Sequence, residues 1–189
     1  LANYSEGQYA LKLAAWDKAD NYAEHIVQFT LDKTSPQVNL KTPAANSLLS
    51  IAGTPYAITG ELIEQHLAHY RLEISHEDEP DQWDILDSGT ELTETNYTAE
   101  WDVASFADGS YQIRLIVIDL AGLTGNSSIP VTIDNTPPIV FISSLQEGAY
   151  ITGPNSVTGT VSDPHLNGYQ LAIAPGNKET ATQWSPLGQ

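Results

Sequence analysis

The chain has 189 residues, 24 acidic against 7 basic side chains, a formal net charge of −17 and 41% hydrophobic residues. That length holds one or two domains, and that apolar content supplies packed cores rather than a disordered tail. Clustered cations are missing, which excludes nucleic acid and anionic membrane surfaces as partners. Zero cysteine removes disulfides and thiolate metal sites, and no apolar run nears the ~18 residues of a membrane-spanning helix. With no cationic leader and apolar core at its start, the chain reads as an interior segment of a longer protein.

In chain order, residues 9–17 come first, with Tyr9, Leu11, Leu13 and Ala15 on one face of an alternating strand. Between 36 and 137 the pattern predicts about seven strands: 37–41, 56–62, 69–76, a short one at 83–86, 97–102, 111–118 and 128–133. Residues 139–142 and 157–161 are further β-branched runs. Turn formers punctuate them at Asp108-Gly109, Ala121-Gly122, Gly125-Asn126, Pro137-Pro138 and Gly153-Pro154. Only 62–76 could be mistaken for a helix. Short strands with turns every 8 to 12 residues and no helical stretch predict an all-β fold of two-sheet sandwiches.

The sequence also repeats. Gly7, Tyr9, Leu11, Leu13, Asp17 and Ala19 fall on Gly109, Tyr111, Ile113, Leu115, Asp119 and Ala121 at an offset of 109 − 7 = 102. Thr59, Gly60, His66, Tyr70, Leu72 and Ile74 fall on Thr158, Gly159, His165, Tyr169, Leu171 and Ile173 at 158 − 59 = 99. A period near 100 residues is the size of a sandwich, not of a solenoid turn. The expected organisation is the back half (strands F and G) of one repeat at 1–35, a complete repeat at 36–137, and the front half (strands A to C) of a third at 138–189. Trp101-Asp102, Phe106, Asp108-Gly109 and Tyr111 read as the corner where strand E crosses to F, with the Tyr111 hydroxyl returned to backbone.

These residues, with Asp119-Leu120-Ala121-Gly122, Ile133-Asp134-Asn135-Thr136-Pro137-Pro138 and the opening 157–163 of the next copy, resemble the tandem immunoglobulin-like and fibronectin type III-like repeats of large bacterial surface and secreted proteins. The resemblance implies a non-catalytic extracellular spacer or adhesin stalk, or an accessory domain beside a catalytic module. Asp134-Asn135-Thr136-Pro137 is also similar to the calcium-holding linkers of cadherins, whereas Asp32-Lys33-Thr34-Ser35 at the first junction carries a lysine beside the ligand.

Sandwich topology brings an incoming linker to the pole of the BC and FG loops. Calcium, with its six to eight oxygen ligands, is therefore expected, if at all, between Asp32, Glu64 and Asp119 at the first junction, and between Asp134, Asn135 and Asp163 with Asp108 at the second. Solvation of loops by acidic side chains accounts for the same residues. His66 and His69 stand three apart, which on a strand places them on opposite faces and makes a poor metal pair. No nucleophile elbow, phosphate loop or catalytic cysteine occurs, so catalysis is not expected.

Two functions compete. One is a structural spacer whose partners are neighbouring repeats of the same or adjacent chains, with the half-repeats at 1–35 and 138–189 joining chains head to tail. The other is a glycan- or protein-binding accessory module of a secreted enzyme, using Trp83, Trp184 or Tyr97 as a stacking platform. Buried tryptophans favour the first and coplanar exposed aromatics the second.

Overall fold

A computed structural model describes residues 1–91 and 96–187. It divides into two compact units, the first spanning Leu1–Asn135 and the second beginning at Thr136.

The first unit opens with an antiparallel hairpin, β1 (Gly7–Trp16) and β2 (Tyr22–Leu31), paired along its whole length from Gly7 opposite Leu31 to Trp16 opposite Tyr22. Its turn is closed by Asp17, whose Oδ1 accepts the amides of Ala19 (2.8 Å) and Asn21 (2.9 Å). At the other end the Tyr9 hydroxyl donates to the Ser5 carbonyl at 2.7 Å.

Eight strands follow: β3 (Gln37–Thr42), β4 (Ser47–Leu49), β5 (Tyr56–Ile63), β6 (Leu67–His76), β7 (Asp84–Gly89), β8 (Asn96–Trp101), β9 (Gly109–Asp119) and β10 (Thr124–Ile133). They form two sheets, β3-β5-β8 and β4-β10-β9-β6-β7. Alternation decides which side chains face inward. Ile58 and Leu62 from the smaller sheet meet Leu72, Ile74, Ile113, Leu115 and Val117 from the larger, and all are buried. Each such side chain contributes about 1.5 to 3 kcal/mol by leaving water. The central copy is thus a two-sheet immunoglobulin-like sandwich, as its strand spacing predicts.

Tyr111 is 7% exposed, and its hydroxyl donates to the Ala107 carbonyl at 3.0 Å. Burial and hydrogen bonding are therefore satisfied together at the expected corner. Trp101 and Phe106 pack edge to face beside it.

Two sequence expectations change. Gly125-Asn126 is not a turn but lies inside the β9–β10 ladder, Gly125 opposite Val117. Asp119 Oδ1 accepts the amides of Ala121 and Leu123, both at 2.8 Å, and this closes the turn earlier than the glycine suggests. Glycine is nonetheless required at 125, because a Cβ there would meet the Pro36 carbonyl oxygen at 2.0 Å, where the linker from the hairpin crosses. The second change is β4, which has no counterpart in the predicted strands. It runs parallel to the end of β10, with Ser47 to Leu49 opposite Val131 to Ile133.

The second unit contains β11 (Ile139–Ile142), β12 (Gly159–Ser162), β13 (Ala172–Ile173) and β14 (Ser185–Pro186). Val140 stands opposite Val161 and Ala172 opposite Pro186 in two antiparallel pairs. The four side chains of β11 are exposed.

Candidate functional site

The linker leaving β2 is held before any site is formed. Glu6 Oε1 accepts the Lys33 amide and the Thr34 hydroxyl, both at 2.7 Å. The Lys33 ammonium turns back onto the carbonyls of Ala2 (2.9 Å) and Tyr4 (2.6 Å), in the segment that precedes the hairpin. Asp32 is left facing the β5–β6 loop of the sandwich.

In that loop the His66 amide donates to Glu64 Oε1 at 2.6 Å, and His66 Nδ1 lies 2.8 Å from Asp32 Oδ2. One ligand atom from each of Asp32, Glu64 and His66 lies within 4.8 Å of the other two. Hydrogen bonds from the Thr34 amide and then the His66 ring hold the Asp32 carboxyl below the usual carboxylate range. The surrounding cleft has a volume of about 450 Å3, with Glu6, Leu31 and Ile63 among its walls.

Asp119, the third carboxylate expected here, is 2% exposed and belongs to its own turn through Oδ1. Its Oδ2 is buried without a hydrogen-bond partner. The neighbouring Leu120 amide donates to the His66 carbonyl at 2.7 Å, which ties the β9–β10 turn to the loop carrying Glu64. The donor set that converges is therefore two carboxylates and an imidazole. Oxygen from Asp32 and Glu64 suits calcium, whereas the ring nitrogen suits borderline metals better.

Of the residues expected at the second junction, Asp108 Oδ1 accepts the Asn135 amide at 2.6 Å, and Asn135 Oδ1 accepts the Ile51 amide at 2.7 Å. These two close the end of the sandwich on backbone groups. The Asp134 amide donates to the Leu49 carbonyl at 2.9 Å. Asp163 belongs to the second unit, where its Oδ1 accepts the His165 amide at 2.7 Å. The carboxylate-x-His pattern of Glu64 and His66 thus recurs at Asp163 and His165, and that recurrence is the signal that could have joined His66 to the carboxylates.

The aromatic candidates separate. Tyr97 is a core residue whose hydroxyl donates to Asp87 Oδ2 at 2.8 Å. Trp83 is half-buried, with the Arg114 guanidinium 3.4 Å from its ring centroid. Arg114 in turn donates to the buried Glu73, its Nε to Oε2 at 2.8 Å. Trp184, in the second unit, is exposed.

Residues 95–188 match the family described as bacterial Ig-like domain (group 3). The match begins at the strand preceding the Tyr111 corner and ends in the next copy, so it is phased half a repeat away from the sandwich boundaries. Among solved structures, a tetra-tandem repeat in the extending region of a large adhesion protein is 16% identical with a TM-score of 0.48, covering 73% of this chain and 34% of that one. An endo-beta-1,4-mannanase from Thermotoga petrophila is 14% identical with a TM-score of 0.40, covering 56% of this chain and 21% of the enzyme. No curated protein matches the chain. No helix among the described residues is long and apolar enough to cross a membrane.

Proposed function

We propose, on the match of residues 95–188 to the bacterial Ig-like domain family, that this chain is a run of non-catalytic, load-bearing spacer repeats of a secreted or cell-surface protein, holding an adhesive or catalytic module away from the cell. The observation that supports this most directly is the latch joining the two ends of the central sandwich. The Asn46 amide donates to the Pro130 carbonyl at 2.7 Å, β4 and β10 pair in parallel, the Asp134 amide donates to Leu49 and the Ile51 amide to Asn135. Force applied through the two linkers pulls parallel neighbours in opposite directions. Their hydrogen bonds are then loaded together in shear rather than opened one at a time.

Single-molecule pulling on the chain held at its two ends tests this reading. The central sandwich should open in one cooperative high-force event, and Asn135→Ala should lower that force while the exposed Glu77→Gln leaves it unchanged. Strand-by-strand peeling at low force would remove the reading. An accessory glycan-binding role has less support, since Tyr97 is core and Trp83 is covered by Arg114.

The proposal extends to the first junction, where convergence of Asp32, Glu64 and His66 favours a divalent cation. Calcium there would take the two carboxylates with carbonyls and water, and would displace the His66 ring from Asp32. Calorimetric titration reads the binding. No heat and no thermal shift at millimolar calcium would retire the site.

A further inference from the structure

The central sandwich is open along one side. Among the described residues, β7 pairs with β6 alone in the larger sheet and β8 with β5 alone in the smaller, so each strand presents an unpaired edge. The Tyr97 hydroxyl reaches from β8 to Asp87 Oδ2 on β7 at 2.8 Å and closes one stretch of the gap between the sheets. Nearer the start of β7, beside Asp84, the gap widens into a cavity of about 410 Å3. That volume lies within the range of pockets that hold ligands.

The cavity has an apolar wall and an acidic mouth. Ile74, Leu86, Phe106 and Tyr111 form the wall, with the Phe106 ring edge to face on Tyr111 at 5.9 Å. Glu79 and Asp84, both exposed, border the opening. They belong to the run 77–84, in which Glu77, Asp78, Glu79, Asp81 and Asp84 are acidic and no residue is basic. The run is anchored: the Glu77 amide donates to the Ser110 carbonyl and the Ser75 hydroxyl to the Glu79 carbonyl, both at 2.9 Å. Among the described residues no ion pair engages Glu79 or Asp84.

We propose that this side of the sandwich docks an extended basic segment of a partner protein, which adds to the β7 edge, places an apolar side chain in the cavity and sets a lysine or arginine against Asp84 and Glu79. Side chains two positions apart share a face of a strand. An apolar anchor at one position and a cation two positions along therefore reach the wall and the mouth together. Main-chain bonds to the β7 edge supply affinity, and the cavity with its carboxylates supplies the choice of side chain. A cation alone leaves the apolar wall unused, and an apolar group alone leaves the carboxylates without a counter-charge. β7 has six residues, so the docked segment is short. The net charge of −17 draws a basic partner in from a distance. Neither the load-bearing role nor the cation at the first junction is needed for this.

Calorimetric titration of the 189-residue chain tests it, using a short threonine-rich peptide, blocked at both ends, that carries one phenylalanine and a lysine two positions on. The expected result is saturable binding at one site that weakens as salt is added. Exchanging the peptide's phenylalanine for alanine, or its lysine for glutamate, should lower affinity by about tenfold or more. Asp84→Asn and Glu79→Gln should each weaken binding by about two- to fivefold. Glu100→Gln, which removes the same charge from an exposed position on β8, should leave it unchanged. Phenethylamine, which has the ring and the cation without a backbone, should bind about a hundredfold more weakly than the peptide. Thermal unfolding should be the same in all three variants, so that lost binding reports lost docking. No heat at millimolar peptide, equal losses in Glu100→Gln, or phenethylamine binding as tightly as the peptide would each overturn the proposal.

Discussion

The hairpin β1–β2 and its counterpart β9–β10 share an alternating apolar pattern and the same register, yet Leu13 is 75% exposed and Leu115 is fully buried. What survives in the isolated copy is local: the tyrosine hydroxyl on the carbonyl four residues earlier, the aspartate turn, and the cross-strand pairing of Tyr9 with Phe29. What is missing is everything that depends on a facing sheet. Local chemistry thus shapes the ribbon, and tertiary partners supply its core stabilisation.

Matched substitutions in the two ribbons sharpen that contrast. Leu115→Ala should cost about 2 to 5 kcal/mol in chemical denaturation, since it leaves a cavity between two sheets. Leu13→Ala should change stability by less than about 0.5 kcal/mol, since its side chain is already in water. Equal costs at the two sites would mean that the hairpin face is covered in solution.

A smaller effect is expected at the corner tyrosines. Tyr111→Phe should cost about 1 to 3 kcal/mol by stranding the Ala107 carbonyl beside a buried ring. Tyr9→Phe leaves the Ser5 carbonyl exposed to water and should be close to neutral by the same denaturation measurement. If Tyr111→Phe were also neutral, the hydroxyl would not anchor the corner.

The smallest expected effect is a pH dependence confined to the sandwich. Burial, and then the adjacent Asp87, push the Tyr97 phenol well above its ordinary value. The folded state therefore holds this proton more tightly than the unfolded chain, whose tyrosines titrate near about 10. That stabilisation is complete below about pH 10 and is lost as pH rises toward the folded value. Alkaline unfolding curves should show this decline in the parent and a shallower one in Tyr97→Phe.

Period-two alternation made the strands legible, and the constant offset made the repeats legible, because both follow from burial on one face. The β4 strand was not, since three residues show no period and their partner on β10 is more than eighty positions away. Gly125-Asn126 misled for the opposite reason: its local turn preference is real, but the Asp119 side chain closes the turn before it. At the first junction Asp32 and Glu64 could be brought together from sandwich topology alone. His66 could not, because local spacing pairs it only with His69, on the opposite face of a strand, while its ring faces a linker residue 34 positions earlier.

Gly125 makes the copies non-interchangeable. Its counterpart at the offset of 102 is Ala23, where a methyl group projects from the backbone. A chimera in which residues 7–31 replaced 109–133 would drive that methyl into the Pro36 carbonyl. The linker would then have to leave the sandwich along another route. Duplication and shuffling of such repeats is accordingly restrained not by their cores, which nearly match, but by one missing carbon atom at the place where a neighbour's tether crosses.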